Sequence, residues 1–432
     1  MQTASKKVIN GWAMYDWANS VYNLVITTTF FPIYFTEVTK DHFKSEIIPF
    51  FGMKFVNSAL YDYASAAAYL LIALLSPILS SIADTRGNKK NFLFSFTLLG
   101  SVACSALFLF YGDNVEYGTI CFLLATVGYC GGLVFYNSYL PEIAAPEDRD
   151  RISAKGFALG YIGSVILQLI GFVLVAVHPF GLTGATPVRV TFLLVGIWWL
   201  GFALFSLSRL PASKATVPTH YGGAFKEGFS ELRKVYAQVK LMPVLKRFLR
   251  GFFFYSMGVQ TVMLAATLFG RKELNLPSTN LIIAVVVIQL VAVFGAWGIA
   301  QLSGKFGNLR VLIGVIVFWL CICVAGYRMQ TATDFYILAV AVGIVMGGVQ
   351  SLSRSTYAKL MPETEDTTSF FSYYDVTEKL AIVVGMFSFG YIEELTGSMR
   401  NSVLALMVFF AIGLGWIISA LLKQRKELIM KN

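Results

Sequence analysis

Apolar stretches of about 20 residues alternate with short polar breaks along the whole chain, each stretch long enough to cross roughly 30 Å of hydrocarbon. Read against glycine, proline and charge breaks, they fall at 12–36, 58–82, 91–111, 117–140, 154–177, 188–208, 248–270, 279–302, 309–328, 334–353, 371–392 and 399–422. They lack the period-two alternation of barrel strands, and lipid offers the backbone no water. The pattern therefore predicts an all-α polytopic membrane protein of 12 spans. The longest break divides six spans from six, giving a first bundle over 1–208, a linker over 209–247 and a second bundle over 248–432. In the linker, Phe225, Phe229, Leu232, Tyr236 and Val239 recur at three- and four-residue steps opposite Lys226, Arg233, Lys234 and Lys240. That spacing predicts an amphipathic helix, lying on the inner leaflet or serving as a basic solvated connection. The segment 38–57, with Ile47, Ile48, Phe50, Phe51 and Phe55, reads as resting against the outer leaflet.

The two sets of six carry an internal repeat. Asp84-Thr85-Arg86-Gly87-Asn88-Lys89-Lys90 follows the second span, and Gly304-Lys305-Phe306-Gly307-Asn308-Leu309-Arg310 follows the eighth, 220 positions later. Gly131-Gly132 leads to Pro141-Glu142 after the fourth span, and Gly347-Gly348 leads to Pro362-Glu363 after the tenth.

Composition agrees with a lipid solvent. Only 13% of residues are charged, roughly half the share of a soluble domain. With both termini cytoplasmic, 25 of the 34 Lys and Arg lie in cytoplasmic segments and 8 outside, with Lys379 left inside a span. The positive-inside rule thus accounts for the net charge of +10, and no nucleic-acid partner is implied. The five cysteines all fall in apolar spans, where they act as small hydrophobes and imply no disulfides. His42, His178 and His220 lie between spans, so neither a metal centre nor a histidine relay is expected. Without a phosphate-binding loop, a gradient must supply any work of transport; without a clustered nucleophile and base, no enzyme is expected, and no cofactor. The first span has no small-residue cleavage pattern after it and reads as a retained helix.

Polar residues within the spans are the candidate chemistry. Asp16, Asn19, Asn23 and Thr27, spaced by three, four and four, share one face of the first span. A carboxylate facing lipid costs about 2.5–3.5 kcal/mol, so this face is expected to line a wet cavity or to meet another helix. In the eleventh span Asp375 and Lys379 stand one turn apart and can pair, which leaves Glu378 as the odd carboxylate and a proton-coupling candidate. The alternative puts all three at the interface, where they snorkel. Gln350 and Arg354 lie one turn apart at the end of the tenth span, and Arg354 can hold a substrate carboxylate or close a gate with an acid such as Asp16.

The segment Ser76–Lys90 resembles the loop between the second and third helices of major facilitator proteins, whose architecture is a parallel repeat of six spans. There Gly87 permits a tight turn, and Asp84, Arg86, Lys89 and Lys90 form a conformational latch or, alternatively, anchor helix ends. YDWANS at Tyr15–Ser20 with Phe31-Pro32-Ile33-Tyr34-Phe35 resembles more specifically the family of the fungal vacuolar amino-acid effluxer of autophagy and its bacterial relatives. The blocks Arg151–Gly156 through Gly163, Ser351–Ser355 with Pro362, and Phe370 through Lys379 to Ser398 are similar to the same family. Gly385-Met386 stands where the family often has Gly-Pro, and the long soluble insertions of the fungal members are missing, which implies a compact bacterial member.

In the fold this resemblance implies, spans one, four, seven and ten line a central cavity. Tyr136, Asn137, Tyr255 and Gln260 then join Asn23 and Gln350 as substrate candidates, each with helix–helix packing as its alternative. The implied function is secondary active transport of a small molecule by alternating access, amino acids foremost. Proton coupling is expected through Asp16, Asp375 or Glu378, with Lys379. The implied setting is a monomer in the lipid bilayer of the bacterial inner membrane. A lipid or drug exporter of the same fold and a non-transporting membrane sensor are the rivals.

Overall fold

The computed structural model describes residues 2–212 and 224–431, less the side chains of 180, 224–229, 231, 232, 278, 279 and 431. Among the described residues, ten helices are long and apolar enough to cross a membrane, and they coincide with spans two to ten and twelve of the sequence pattern. The other two expected spans are helical as well. The first runs as α-helix Lys6–Val21, π-helix Tyr22–Phe30 and α-helix Phe31–Phe43; the eleventh is Thr367–Thr396, whose apolar character is diluted by Asp375, Glu378 and Lys379.

Many of the helices are about 30 residues long, hence about 45 Å, and overrun the roughly 30 Å of hydrocarbon. Their ends stand in the polar zone, where charged residues collect. The outward surface between is apolar: Leu74, Phe294, Trp297 and Phe387 are 58–73% exposed, unworkable against water and natural against acyl chains. Where helices touch closely, small residues make room. Gly343 and Gly347 of the tenth span lie against the backbone of Ile288 and Ala292 in the eighth, a small-xxx-small contact.

The repeated turn is used alike in both halves. Gly87 (φ 63°) ends Asn57–Arg86, and Gly307 (φ 85°) separates Ser278–Phe306 from Asn308–Arg328. Positive φ suits glycine, so both helices stop abruptly and the next begins at once.

Two elements differ from the sequence expectation. The partly apolar segment before the second span contains a hairpin, Ile47–Phe50 paired antiparallel with Met53–Val56, held to the bundle by buried Ile48 and by Glu116, which accepts from the Phe51 N–H at 3.0 Å. The linker helix Ala224–Lys240 packs on the second and eleventh spans, with Val235 and Val239 buried and Tyr236 exposed. Its expected face also includes Phe225, Lys226, Phe229 and Leu232, which lie outside the described side chains.

Across the two halves the second span packs on the eleventh, and the fifth on the eighth and tenth. The N-terminus meets the segment after the fourth span, through Ala4 N–H to Ile143 O and Thr3 to Asp148. Near the other chain end Arg247 donates to Ser419. Chain ends and linker therefore share one side, called the terminal face below.

A cavity sealed at the terminal face

Between the halves lies a cavity whose free space, counted together with its opening to solvent, is about 1060 Å³. Its wall draws on spans one, two, four, five, seven, ten and eleven, and includes Asp16, Asn23, Asn137, Tyr255, Gln260, Gln350, Arg354, Glu378 and Lys379. Asn19, Thr27 and Tyr136 are placed elsewhere. The positions of the first span that reach the wall are Asp16, Ser20, Asn23 and Thr28, in steps of four, three and five. The five-residue step falls in the π-helical segment Tyr22–Phe30, where each turn takes in an extra residue and rotates the face past its α-helical position. Thr27 is buried instead, its carbonyl accepting from Tyr61 Oη at 2.8 Å. Asn19 is buried with neither amide atom hydrogen-bonded. Tyr136 lies under the floor, stacked on Trp12 at 4.6 Å between ring centroids, with its hydroxyl donating to Asp16 Oδ2 at 2.8 Å.

The floor is an ion pair between halves. Arg354 Nη2 of the tenth span donates to Asp16 Oδ2 at 3.1 Å, and both side chains are at most 5% exposed. The same guanidinium donates to Ser153 Oγ (2.9 Å), Asn137 Oδ1 (3.1 Å) and Ser153 O (2.9 Å), and sits 4.3 Å from the Phe157 ring centroid. All of these partners belong to the first six spans. Gly156 makes the approach possible, because a Cβ there would run into Asp16 Oδ2 and lie 3.0 Å from Arg354 Nη2.

On the side wall Lys379 lies between Asp375 Oδ1 (3.2 Å) and Glu378 Oε2 (3.3 Å). The expectation that pairing of Asp375 with Lys379 would leave Glu378 without a partner is corrected by this geometry. Adjacent positions on a helix diverge by about 100°, but a lysine stem is long enough to reach both. Glu378 also accepts from Gln260 Nε2 at 3.2 Å, and the carboxylate oxygen without a hydrogen bond is the buried Asp375 Oδ2.

Below the floor a second layer joins the halves. Asp84 accepts from the backbone N–H of Thr368 (3.2 Å) and of Ser369 (2.8 Å), placing a carboxylate on the N-terminus of Thr367–Thr396. Lys89 is buried, paired with Glu142, and donates to Thr367 Oγ1 at 3.2 Å. Lys90 donates to Leu210 O, and Arg86 is exposed. Sequence reasoning missed the other side of this layer. Arg149 Nη1 donates to Ala358 O at the end of the tenth span (2.6 Å), and Asp150 accepts from Lys359 Nζ (2.6 Å), Ser303 Oγ (2.8 Å) and Asn308 Nδ2 (2.7 Å). The only signal was the charge density of Glu147–Arg151, which does not say which charges cross between the halves. Among the described residues, the hydrogen bonds between halves run from this layer up to Gln168–Gln289, near mid-span.

Comparison with known proteins fixes what such an assembly belongs to. The model of the "Vacuole effluxer Atg22 like" family matches residues 4–148 and 146–428. The chain is a member of the Atg22-like family. An MFS-type transporter of Bacillus subtilis, YxiO, described as uncharacterised, is 31% identical over 420 residues, covering 94% of this chain and 92% of its own. Autophagy-related protein 22 of Eremothecium gossypii is 28% identical, covering 94% of this chain and 89% of its own. Among solved structures, the human organic anion transporter MFSD10 superposes with a TM-score of 0.75 at 10% identity, covering 95% of this chain and 99% of its own. FucP in the outward conformation gives 0.67 at 12%, covering 96% and 97%. These likenesses establish the major facilitator fold, and the Atg22-like chain is a multi-pass membrane transporter of that type.

Proposed function

We propose that this Atg22-like chain is a secondary active transporter that moves small organic solutes, amino acids foremost, by alternating access coupled to protons. The observation that carries the reading is a polar cavity between two bundles, closed at one face by contacts that span the bundles. Amino acids enter through the family resemblance. Proton coupling is supported by Asp16, Asp375 and Glu378 being held in or beside the cavity with Arg354 and Lys379. A proton on Asp16 removes the charge from the floor pair, and one on Glu378 weakens the hold of Lys379, so protonation and closure are linked. The distribution of Lys and Arg supports termini on the cytoplasmic side, and the Bacillus relative supports a bacterial inner membrane.

The test is counterflow and gradient-driven flux in proteoliposomes, with radiolabelled amino acids and an imposed pH difference. Accumulation should follow the pH gradient, and Glu378→Gln should abolish accumulation while sparing exchange of a neutral amino acid. Flux indifferent to pH would remove the proton. Absence of flux for every solute, from folded protein, would favour the sensor reading.

A further inference from the structure

The lining of the cavity distinguishes one sign of cargo charge from the other. Three carboxylates, Asp16, Asp375 and Glu378, stand against two cations, Arg354 and Lys379, in or beside it. Both cations are committed. Arg354 spends Nε, Nη1 and Nη2 on Ser153, Asn137 and Asp16, and Lys379 is held between Asp375 and Glu378. The acceptors are in excess. Asp375 Oδ2 is buried with no hydrogen bond, and Glu378 Oε1 receives the Gln260 amide at 3.2 Å while its side chain stays 21% exposed on the cavity.

Beside Glu378 the wall is aromatic. Tyr255 and Tyr374 both line the cavity, with Phe252 stacked on Tyr374 at 4.3 Å between centroids. Aromatic faces attract cations, as Phe157 already does with the Arg354 guanidinium at 4.3 Å. A surplus negative charge held away from bulk water draws a positive one.

We propose, resting on the transporter reading above, that the cavity selects solutes of net positive charge, whose ammonium without a carboxylate of its own docks on Glu378 beside Tyr255 and Tyr374, over zwitterions, and rejects solutes whose net charge is negative. A proton and a substrate ammonium then compete for the same carboxylate.

Calorimetric binding to purified protein tests this with four probes: lysine, cadaverine (lysine without its carboxylate), norleucine (its chain without the ε-ammonium) and glutamate. Lysine and cadaverine should bind at least about tenfold tighter than norleucine, as one charge-assisted contact is worth, with glutamate undetectable. Glu378→Gln should erase the lysine preference, and Glu378→Asp should retain part of it; melting curves of the variants confirm that both fold. Glutamate binding as tightly as lysine, no binding of lysine or cadaverine, or a preference that survives Glu378→Gln would overturn the proposal. Binding requires no flux, so the two readings fail separately. Lysine-selective binding without flux would refute transport and leave selection standing. Flux of norleucine or glutamate at lysine's rate would refute selection and leave transport standing.

Discussion

Asp16→Asn removes one charge from the ion pair at the cavity floor while keeping the shape of the side chain. The pair is at most 5% exposed, and all four hydrogen bonds donated by Arg354 end on the opposite half, so none survives separation of the halves at the terminal face. Taking one partner from a buried pair costs about 3–5 kcal/mol, and the amide can still accept a hydrogen bond, so the low end, about 3 kcal/mol, applies. When the halves part, Arg354 is hydrated, and the penalty therefore falls on the closed state alone. A penalty of about 3 kcal/mol is about 150-fold, enough to turn a closed state favoured a hundredfold into the minority.

Spin labels at Arg151→Cys and Lys305→Cys, one on each half at the terminal face, report this by pulsed EPR. Cys321, exposed in its span, is replaced by serine in the parent. The parent should give one short distance population, and Asp16→Asn should add a longer one of at least comparable size. In a double-mutant cycle with Arg354→Gln, the combined variant should be less perturbed than the sum of the two, since neither charge is then orphaned. A distance distribution for Asp16→Asn that superimposes on the parent, or strict additivity in the cycle, would refute the argument.

Gly156→Ala should shift the same distances in the same direction, because its methyl would press on Asp16, Arg354 and Tyr136; overpacking of this kind costs about 1–3 kcal/mol, whereas Gly201→Ala, with nothing within 4 Å of its Cβ, should be silent. A charged thiol reagent should label Thr28→Cys in membranes and leave Thr27→Cys unmodified; the reverse pattern would mean that the first span keeps α-helical register. Outside the spans, hydrogen bonds from Thr3 and Arg151 hold the Asp148 carboxyl below its usual range. A depressed folded value means that the tether is stabilising above the unfolded value and is lost as pH falls through the folded one. Hydrogen exchange at Ala4 and Ala145 should therefore lose protection below about pH 4, and protection unchanged in acid would sink the assignment.

Much of this was legible in the sequence because the bilayer imposes a coarse rule: apolar length decides whether a segment spans, and glycine decides where it stops. The turns at Gly87 and Gly307 follow from that rule alone. The hairpin Ile47–Val56 was not legible, since its turn is Phe51-Gly52, with Phe51 itself at φ 46°, and carries no Asn-Gly signal. Of the polar stripe read in the first span, Asp16 and Asn23 reach the wall, whereas Asn19 is buried away from it and Ser20 lines the cavity instead. A π-helical segment leaves no mark in composition, yet it substitutes Thr28 for Thr27 at the wall. Glu378 was misjudged because helical spacing describes where stems begin, while a lysine decides with whom it pairs at the far end of four methylenes.

The closing contacts divide into two layers, the floor pair and the contacts below it. In the outer layer Asp84 meets the N-terminus of the eleventh span and Arg149 meets the Ala358 carbonyl near the end of the tenth, beside an ion pair between the halves, Asp150–Lys359 at 2.6 Å. Interactions of a charge with a helix terminus are worth about 0.3–1 kcal/mol near water and up to about 2 when partly buried. Asp84 and Arg149 can be rehydrated as soon as they separate, so these two contacts align the halves without fixing them. The floor pair lies deeper and leaves Arg354 without its counter-charge when Asp16 is neutral. Asp84→Asn should accordingly lengthen the inter-half distance in a smaller fraction of molecules than Asp16→Asn does. An equal or larger effect at Asp84 would move the switch from the cavity floor to the helix ends and, with it, the place where a proton could act on closure.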